Sequence, residues 1–281
     1  MNEQALSDVR PSPIAGQWYP GTFERLAATV DSMLDNAPSA SVPGQIVGLI
    51  APHAGYIYSG PTAACAFKLV RGMDFERVVV VSPMHHPYFE PVLTTAHQAY
   101  QTPLGLVPVD QEALAAIGRQ IPLKAVRRDP EHSLEIELPF LQRALNTPFS
   151  VVPLMLRDQS YQMAEALGKA VASVIGTDSK TLLVASSDLS HFYPDSKARL
   201  LDHIMLERIA AFDPQGVIRV EDEGLAFACG RAAIATVLVA ARVLGADSVQ
   251  IVGYATSADT AGDTSQVVGY GAAVIYRSPQ G

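Results

Sequence analysis

Cysteine is scarce in this chain, with only Cys65 and Cys229 among 281 residues. Two thiols do not make a disulfide framework, so a reducing cytoplasm is the expected setting. Basic residues are also few: 20 Lys and Arg stand against 28 Asp and Glu, a formal charge of -8. The pair Arg127-Arg128 runs straight into Asp129, and nothing resembles the basic stripe that tracks nucleic acid, so a DNA or RNA partner is excluded from the reading. No apolar run approaches the ~20 residues that span a bilayer. The most apolar helical stretch, Ala232 to Ala241, is closed by Arg231 and Arg242 and reads as a buried helix. The opening residues, MNEQALSDVRPSPIAG, lack the apolar centre of a signal peptide, and no membrane association is expected. HExxH and CxxC are both missing, so no local spacing betrays a metal.

What the chain does have is apolar residues, 48% of the total, enough for a sizeable core in one domain spanning 1–281. Residues 1–21 are irregular by their prolines and glycines. They carry the single tryptophan, Trp18, and are expected to pack on the body. Three apolar runs of buried-strand type each end in histidine-bearing loops: Ile46 to Ala51 before His53, Val78 to Val81 before His85-His86, and Leu182 to Ala185 before Asp188 and His191. Ligands in open α/β sheets bind at the carboxyl ends of strands, where loops carry polar groups on a rigid support. The three histidines should therefore share a pocket.

Between these strands the periodicity predicts helices. Thr22 opens one with Leu26, Val30 and Leu34 on one face, Pro61 stands in the first turn of another that Gly72 ends, and Asp110 caps a third. Ser133 is placed to cap a helix carrying Leu134, Leu138, Leu141 and Leu145. Further helices are expected over 160–175, 198–212 and 224–244, the last with Cys229 near its start. Additional strands are expected at 92–95, 149–156, 249–254 and 267–276, with a hairpin element at 100–105. The pattern predicts a three-layer αβα domain with a mostly parallel mixed central sheet.

A lone histidine is more often packed or surface-exposed than functional, but three at strand ends suggest an open site for a divalent metal. The residues leave the anionic third ligand open among Cys229, Asp188 and one of Glu131, Glu135 or Glu137. Cys229 at a helix start would have its thiolate favoured by the helix dipole, against the bland alternative of a small core residue. Cys65, amid alanines, has only that bland reading. Asp188 and His191, three apart, could form an oriented acid–base pair, or Asp188 and Ser190 could simply cap a helix. His132, at a helix start that disfavours the imidazolium, could serve as a neutral hydrogen-bond donor to an oxyanion, or be a surface residue. His97 and His203 earn no functional role. Trp18, Tyr19, Tyr56 and Tyr58 could wall a pocket for a flat ligand, although such aromatics are more often core.

The motifs AGQWYP (15–20), APHAGY (51–56), SPMHH (82–86), EHSLE (131–135), SSDLSH (186–191), CGR (229–231) and VVGY (267–270) follow one another in the order seen in the Memo family. The chain resembles that family over nearly its whole length. Prokaryotic members are called AmmeMemoRadiSam system protein B, which implies association with a radical S-adenosylmethionine enzyme system. The resemblance implies a fold similar to the catalytic subunit of class III extradiol dioxygenases. By position it matches His53, His85 and Cys229 to the metal ligands and His191 to the dioxygenases' catalytic histidine, with Asp188 beside it. Met84 departs from the serine common in relatives.

The function expected from this resemblance is non-haem iron chemistry, redox or dioxygenase-like, on a small substrate, with Fe(II) the first choice and copper or zinc the alternatives. A thiolate is softer than the carboxylate of the dioxygenases, which alters the metal preference. The competing expectation is a binding or scaffold protein whose pocket accepts a peptide or a partner protein. A zinc-dependent hydrolase is a weaker third.

Overall fold

Val78 to Val81 and Leu182 to Ala185 are aliphatic at every position, and both runs lie in strands covered on both faces. In the computed structural model, which describes residues 7–176 and 179–279, they form the middle of a nine-stranded mixed sheet. The strands in chain order are β1 (Val9–Arg10), β2 (Gln45–Ala51), β3 (Arg77–Pro83), β4 (Val92–Thr95), β5 (Ala99–Thr102), β6 (Gly105–Pro108), β7 (Lys124–Val126), β8 (Ser150–Leu156), β9 (Thr181–Ser186), β10 (His191–Tyr193), β11 (Ser248–Thr256) and β12 (Val267–Arg277). The sheet runs β10-β12-β2-β9-β3-β8-β4-β7, with β11 also paired to β12. Strands β2, β9, β3 and β8 are parallel, while β12 joins β2, and β4 joins β8, in antiparallel fashion.

The helices are α1 (Phe23–Asn36), α2 (Tyr56–Phe67), α3 (Gln111–Gly118), α4 (Leu138–Ala144), α5 (Tyr161–Ile175), α6 (Asp195–Ala210), α7 (Pro214–Asp222), α8 (Arg231–Val243) and α9 (Ala258–Ala261). They cover both sides of the sheet. Helix α8 lies on β9, β3 and β2 with α5 packed outside it, while α2 packs on β2 and β12 and is backed by α1 and α4. Gly168 of α5 permits the first of these contacts, because a Cβ there would stand 2.7 Å from the Thr236 carbonyl of α8. The stripe Leu26, Val30 and Leu34 is buried as its spacing predicts, and Asp110 and Ser160 cap α3 and α5 through their side chains.

Several local expectations are corrected. Helix α2 starts at Tyr56 rather than Pro61, which sits inside it. Its missing N–H is tolerated there because the tertiary packing of the alanine-rich face outweighs one lost bond. Ser133 caps nothing: its hydroxyl donates to the Pro83 carbonyl, and the chain passes through a 3-10 turn (Glu135–Glu137) before α4, with Pro139 in the first turn. The segment expected as one helix over 224–244 is α8 alone, so Cys229 lies in the turn before it, with Gly230 as N-cap. Helix α7, capped by Asp213 with Pro214 following, was not expected. The N-terminal segment is less irregular than its composition suggests, since Val9 and Arg10 pair with β5 in a small three-stranded sheet. Among the described residues no helix is long and apolar enough to cross a membrane.

Candidate metal centre

His53 emerges where β2 ends. Its backbone N–H donates to Asp188 Oδ1 at 2.7 Å, and the Ser187 N–H donates to the Ala51 carbonyl at 2.9 Å, so the ends of β2 and β9 are tied together. The His53 ring is buried, with Nδ1 2.8 Å from Ser186 Oγ. That hydroxyl also lies 2.5 Å from the Ser133 carbonyl and 2.7 Å from Glu137 Oε1. It owns one proton and the carbonyl can only accept, so the network balances when His53 Nδ1–H and a protonated Glu137 both donate to Oγ. Burial pushes Glu137 well above the ordinary carboxyl range, in agreement with that balance. His53 Nε2 is then a lone pair.

His85 follows β3 and is held by one carboxylate. Glu131 Oε2 accepts the His85 backbone N–H at 2.6 Å, and Oε1 accepts Nδ1–H at 2.9 Å and the backbone N–H groups of His132 and Ser133 at 3.0 Å each. Burial alone would raise the Glu131 carboxyl, but the His85 ring and these donors outweigh it and hold it well below the usual range. An ionised carboxylate can only accept, so His85 carries its proton on Nδ1 and presents Nε2, as carboxylate-oriented metal-binding histidines do.

His132 stacks on the His85 ring with centroids 4.9 Å apart and meets Trp18 in a tilted contact at 4.1 Å. Its loop is anchored from the N-terminal strand: Arg10, 2% exposed, donates to the Asp129 carboxylate at 2.9 Å, the Asp129 carbonyl at 3.0 Å and the Glu131 carbonyl at 2.7 Å, and pairs with Glu135. Glu135 also accepts from Tyr19 at 2.6 Å and from Ser12. Glu131, Glu135 and Glu137, carried as candidate third ligands, are all engaged in holding other groups.

Nitrogens of His53, His85 and His132 lie within 4.8 Å of one another. Burial, followed by the proximity of the other imidazoles, keeps His53 well below its ordinary pKa, and burial brings His132 down to about 4. These are neutral rings, the form in which imidazole binds a metal. The donor set therefore fits a divalent first-row ion. His132 joins the other two rings, and its neutrality, expected from a helix start, comes from burial instead.

Cys229 touches one member of the cluster, with Sγ 3.1 Å from His53 Nε2. The ligand atoms that lie within 4.8 Å of one another are those of His53, His85 and His132, so the thiol stands at the edge of the set and not within it. The Asp188 N–H donates to Sγ at 3.3 Å and Ser187 Oγ is 3.9 Å away. Gly230 makes this approach possible, because a Cβ there would meet the Ser186 carbonyl at 2.5 Å. Lying before α8 rather than in its first turn, the thiol gains little from the helix dipole; burial and the nearby Asp188 carboxylate push it well above its ordinary range. The thiolate favoured on sequence grounds thus needs a cation to form. Cys65 is buried in α2, as its sequence context suggests.

The expected pairing of Asp188 with His191 is not formed. Asp188 turns its carboxylate to the backbone N–H groups of His53 and Ala54, and burial pushes it up to about 7. The turn is not helical, and His191 begins β10 instead. Its Nδ1–H donates to the Leu189 carbonyl at 2.7 Å, while its ring meets Phe192 and Phe227 edge-on at 5.6 and 5.5 Å. Burial lowers the His191 pKa, leaving Nε2 unprotonated at neutral pH. Phe192, 69% exposed, has φ of 63°, a left-handed conformation rare for an aromatic residue.

A family model described as Memo-like protein matches residues 10–274. The chain belongs to the Memo family. Similar proteins include a MEMO1 family protein of Nitrosopumilus maritimus, 38% identical over 94% of this chain and 98% of that one. Another, from Thermotoga neapolitana, is 36% identical over 95% and 99% respectively, and MEMO1 family protein MK0963 of Methanopyrus kandleri is 35% identical over 95% and 99%. A crystal structure of uncharacterized protein JW3007 from Escherichia coli K12 aligns at 14% identity and TM-score 0.47, covering 82% of this chain and 99% of that one. In this Memo family member Ser186 holds the His53 ring and Arg10 anchors the Glu131 loop, roles not assigned from sequence, and Glu131, a candidate ligand from sequence, holds the His85 ring instead. The EHSLE motif was the one signal pointing to Glu131.

Proposed function

We propose that this protein is a metal-dependent oxidoreductase of dioxygenase-like type, acting on a small substrate with Fe(II) as its metal. The observation that carries the reading is the meeting of three imidazoles within 4.8 Å, two of them held neutral by burial and one of these 3.1 Å from a cysteine sulfur. His53 and His85 would hold the ion through Nε2, with Cys229 as the anionic donor and His132 as a further nitrogen. Two or three histidines with one thiolate suit Fe(II), copper or zinc better than magnesium or calcium. When bound, the metal supplies the redox centre at which an oxidant and the substrate meet.

The chain's own groups do the rest. Glu131 and the Ser186–Glu137 pair fix which nitrogen each ring presents. Cys229 releases its proton on ligation, so binding is favoured by rising pH. His191 is a neutral base whose Nε2 can accept a substrate hydroxyl proton, its ring held by the Leu189 carbonyl. Phe192 and Phe227 flank that ring edge-on.

The test is an anaerobic titration of chelator-treated protein with Fe(II). About one equivalent should bind, with affinity lost in His53→Ala and His85→Ala variants that keep the circular dichroism of the parent. Unchanged binding by the His53→Ala, Cys229→Ala double variant overturns the assignment.

A further inference from the structure

Beside the histidine cluster, the β11–β12 connection, the N-terminal segment and the start of α2 line an open cavity of about 530 Å3. Three aromatic side chains line it: Trp18, Tyr58 and Tyr270. Tyr270, 2% exposed, belongs to the protein interior, whereas Tyr58 is 40% exposed. Asp263 is the sole charged residue among those lining the cavity, which otherwise offer neutral polar groups such as Ser257 and Gln266. Asp263 Oδ1 accepts the Ser265 N–H at 2.8 Å and the Ser265 hydroxyl at 2.7 Å, bonds that favour the ionised carboxylate.

This lining discriminates by charge. Aromatic faces carry negative quadrupole potential and attract a cation, more strongly when it is poorly hydrated, as an alkylated ammonium is. An ionised carboxylate beside them adds to the attraction. A phosphate or carboxylate ligand would find no Lys, Arg or His in the wall to pair with, inside a chain of net charge -8. A purely apolar ligand would gain nothing from Asp263.

We propose that this cavity binds an organic cation, the quaternary or tertiary ammonium group of a small molecule. Trp18 and Tyr58 supply the ring surfaces over a floor formed by the buried Tyr270, and the solvent-exposed Asp263 supplies the countercharge. The site adjoins the candidate metal centre, because Ala54 and Gly55 of its wall directly follow His53, and Trp18 meets His132 in a tilted contact at 4.1 Å. It requires no metal, so it stands independently of the oxidoreductase reading.

Trp18 is the single tryptophan of the chain, so its emission reports on the cavity. Chelator-treated, metal-free protein is titrated with choline and with its uncharged isostere 3,3-dimethyl-1-butanol, followed by Trp18 fluorescence and calorimetry. Choline should give a saturable change, and the isostere should bind about ten-fold or more weakly. Tyr58→Ala should weaken choline by about ten-fold, Tyr58→Phe should retain it, and Asp263→Asn should weaken it several-fold. Equal binding of the isostere, no saturable response, or Tyr58→Ala and Asp263→Asn variants with parental affinity overturns the proposal. Because no metal is present, a failure here leaves the Fe(II) titration untouched, and the reverse holds equally.

Discussion

The Arg10 guanidinium donates to the Glu131 carbonyl at 2.7 Å across 121 positions of sequence, inside a pocket that leaves the arginine 2% exposed. A residue near the N-terminus thus fixes the backbone from which Glu131 and His132 project. Removing it leaves the Glu135 and Asp129 carboxylates buried without their partner. Arg10→Ala should cost roughly 3–5 kcal/mol in stability, read from urea denaturation. Arg10→Lys, which keeps the charge but loses the fork, should fall between the two.

Glu131 orients His85 through two bonds and is fully covered by protein. Glu131→Gln keeps the shape but can accept at only one of its two terminal atoms. Metal affinity should fall about 10- to 100-fold, measured by competition against a chelator of known affinity. A parental affinity would show that the His85 ring needs no such support.

Gly230 stands where a Cβ would contact the Ser186 carbonyl at 2.5 Å. Gly230→Ala must push the Cys229 turn away from the end of β9. The expected cost is about 1–3 kcal/mol, together with a loss of metal affinity larger than Ala substitutions elsewhere in α8 produce. Parallel denaturation and metal titrations separate the two effects.

Burial raises Asp188 from 3.8 to about 7 in the folded, metal-free protein. Between those values the folded state binds a proton that the unfolded chain does not, so this group's contribution to stability is present at low pH and declines as pH rises through about 7. Asp188→Asn removes that dependence while keeping an acceptor for the His53 N–H. Relative to the parent, the variant should gain stability by a few kcal/mol between pH 4 and 7.5, with no further gain above. Urea midpoints across that range provide the check, and a constant difference would show that Asp188 titrates normally.

Much of the sheet was legible because its strands are apolar throughout and end abruptly in polar loops. His53 and His85 could be placed together on that pattern alone, since a parallel sheet delivers all such ends to one side. Cys229 was placed near them through the family motifs, whereas its local sequence suggested a helix that in fact begins two residues later. The tie between Asp188 and His53 was misread as a tie to His191, because proximity in sequence was the only distance available. Arg10 carries no local signature, and the motifs that contain Ser186 and Tyr270 do not say what either side chain touches. Their roles depend on contacts between segments whose separation along the chain conceals them.

Strands β2, β9 and β3 are immediate neighbours joined by regular parallel hydrogen bonding, and they deliver His53, Ser186 and His85 in turn. The positions from which His53 and His85 depart are therefore inherited from the ladder repeat of the sheet, about 4.8 Å per strand, while His132 is brought to them by the loop that Arg10 anchors. Evolution can lengthen, shorten or recompose the outer connections of such a protein without recalibrating its centre, while a one-residue slip in any of these three strands would dismantle it.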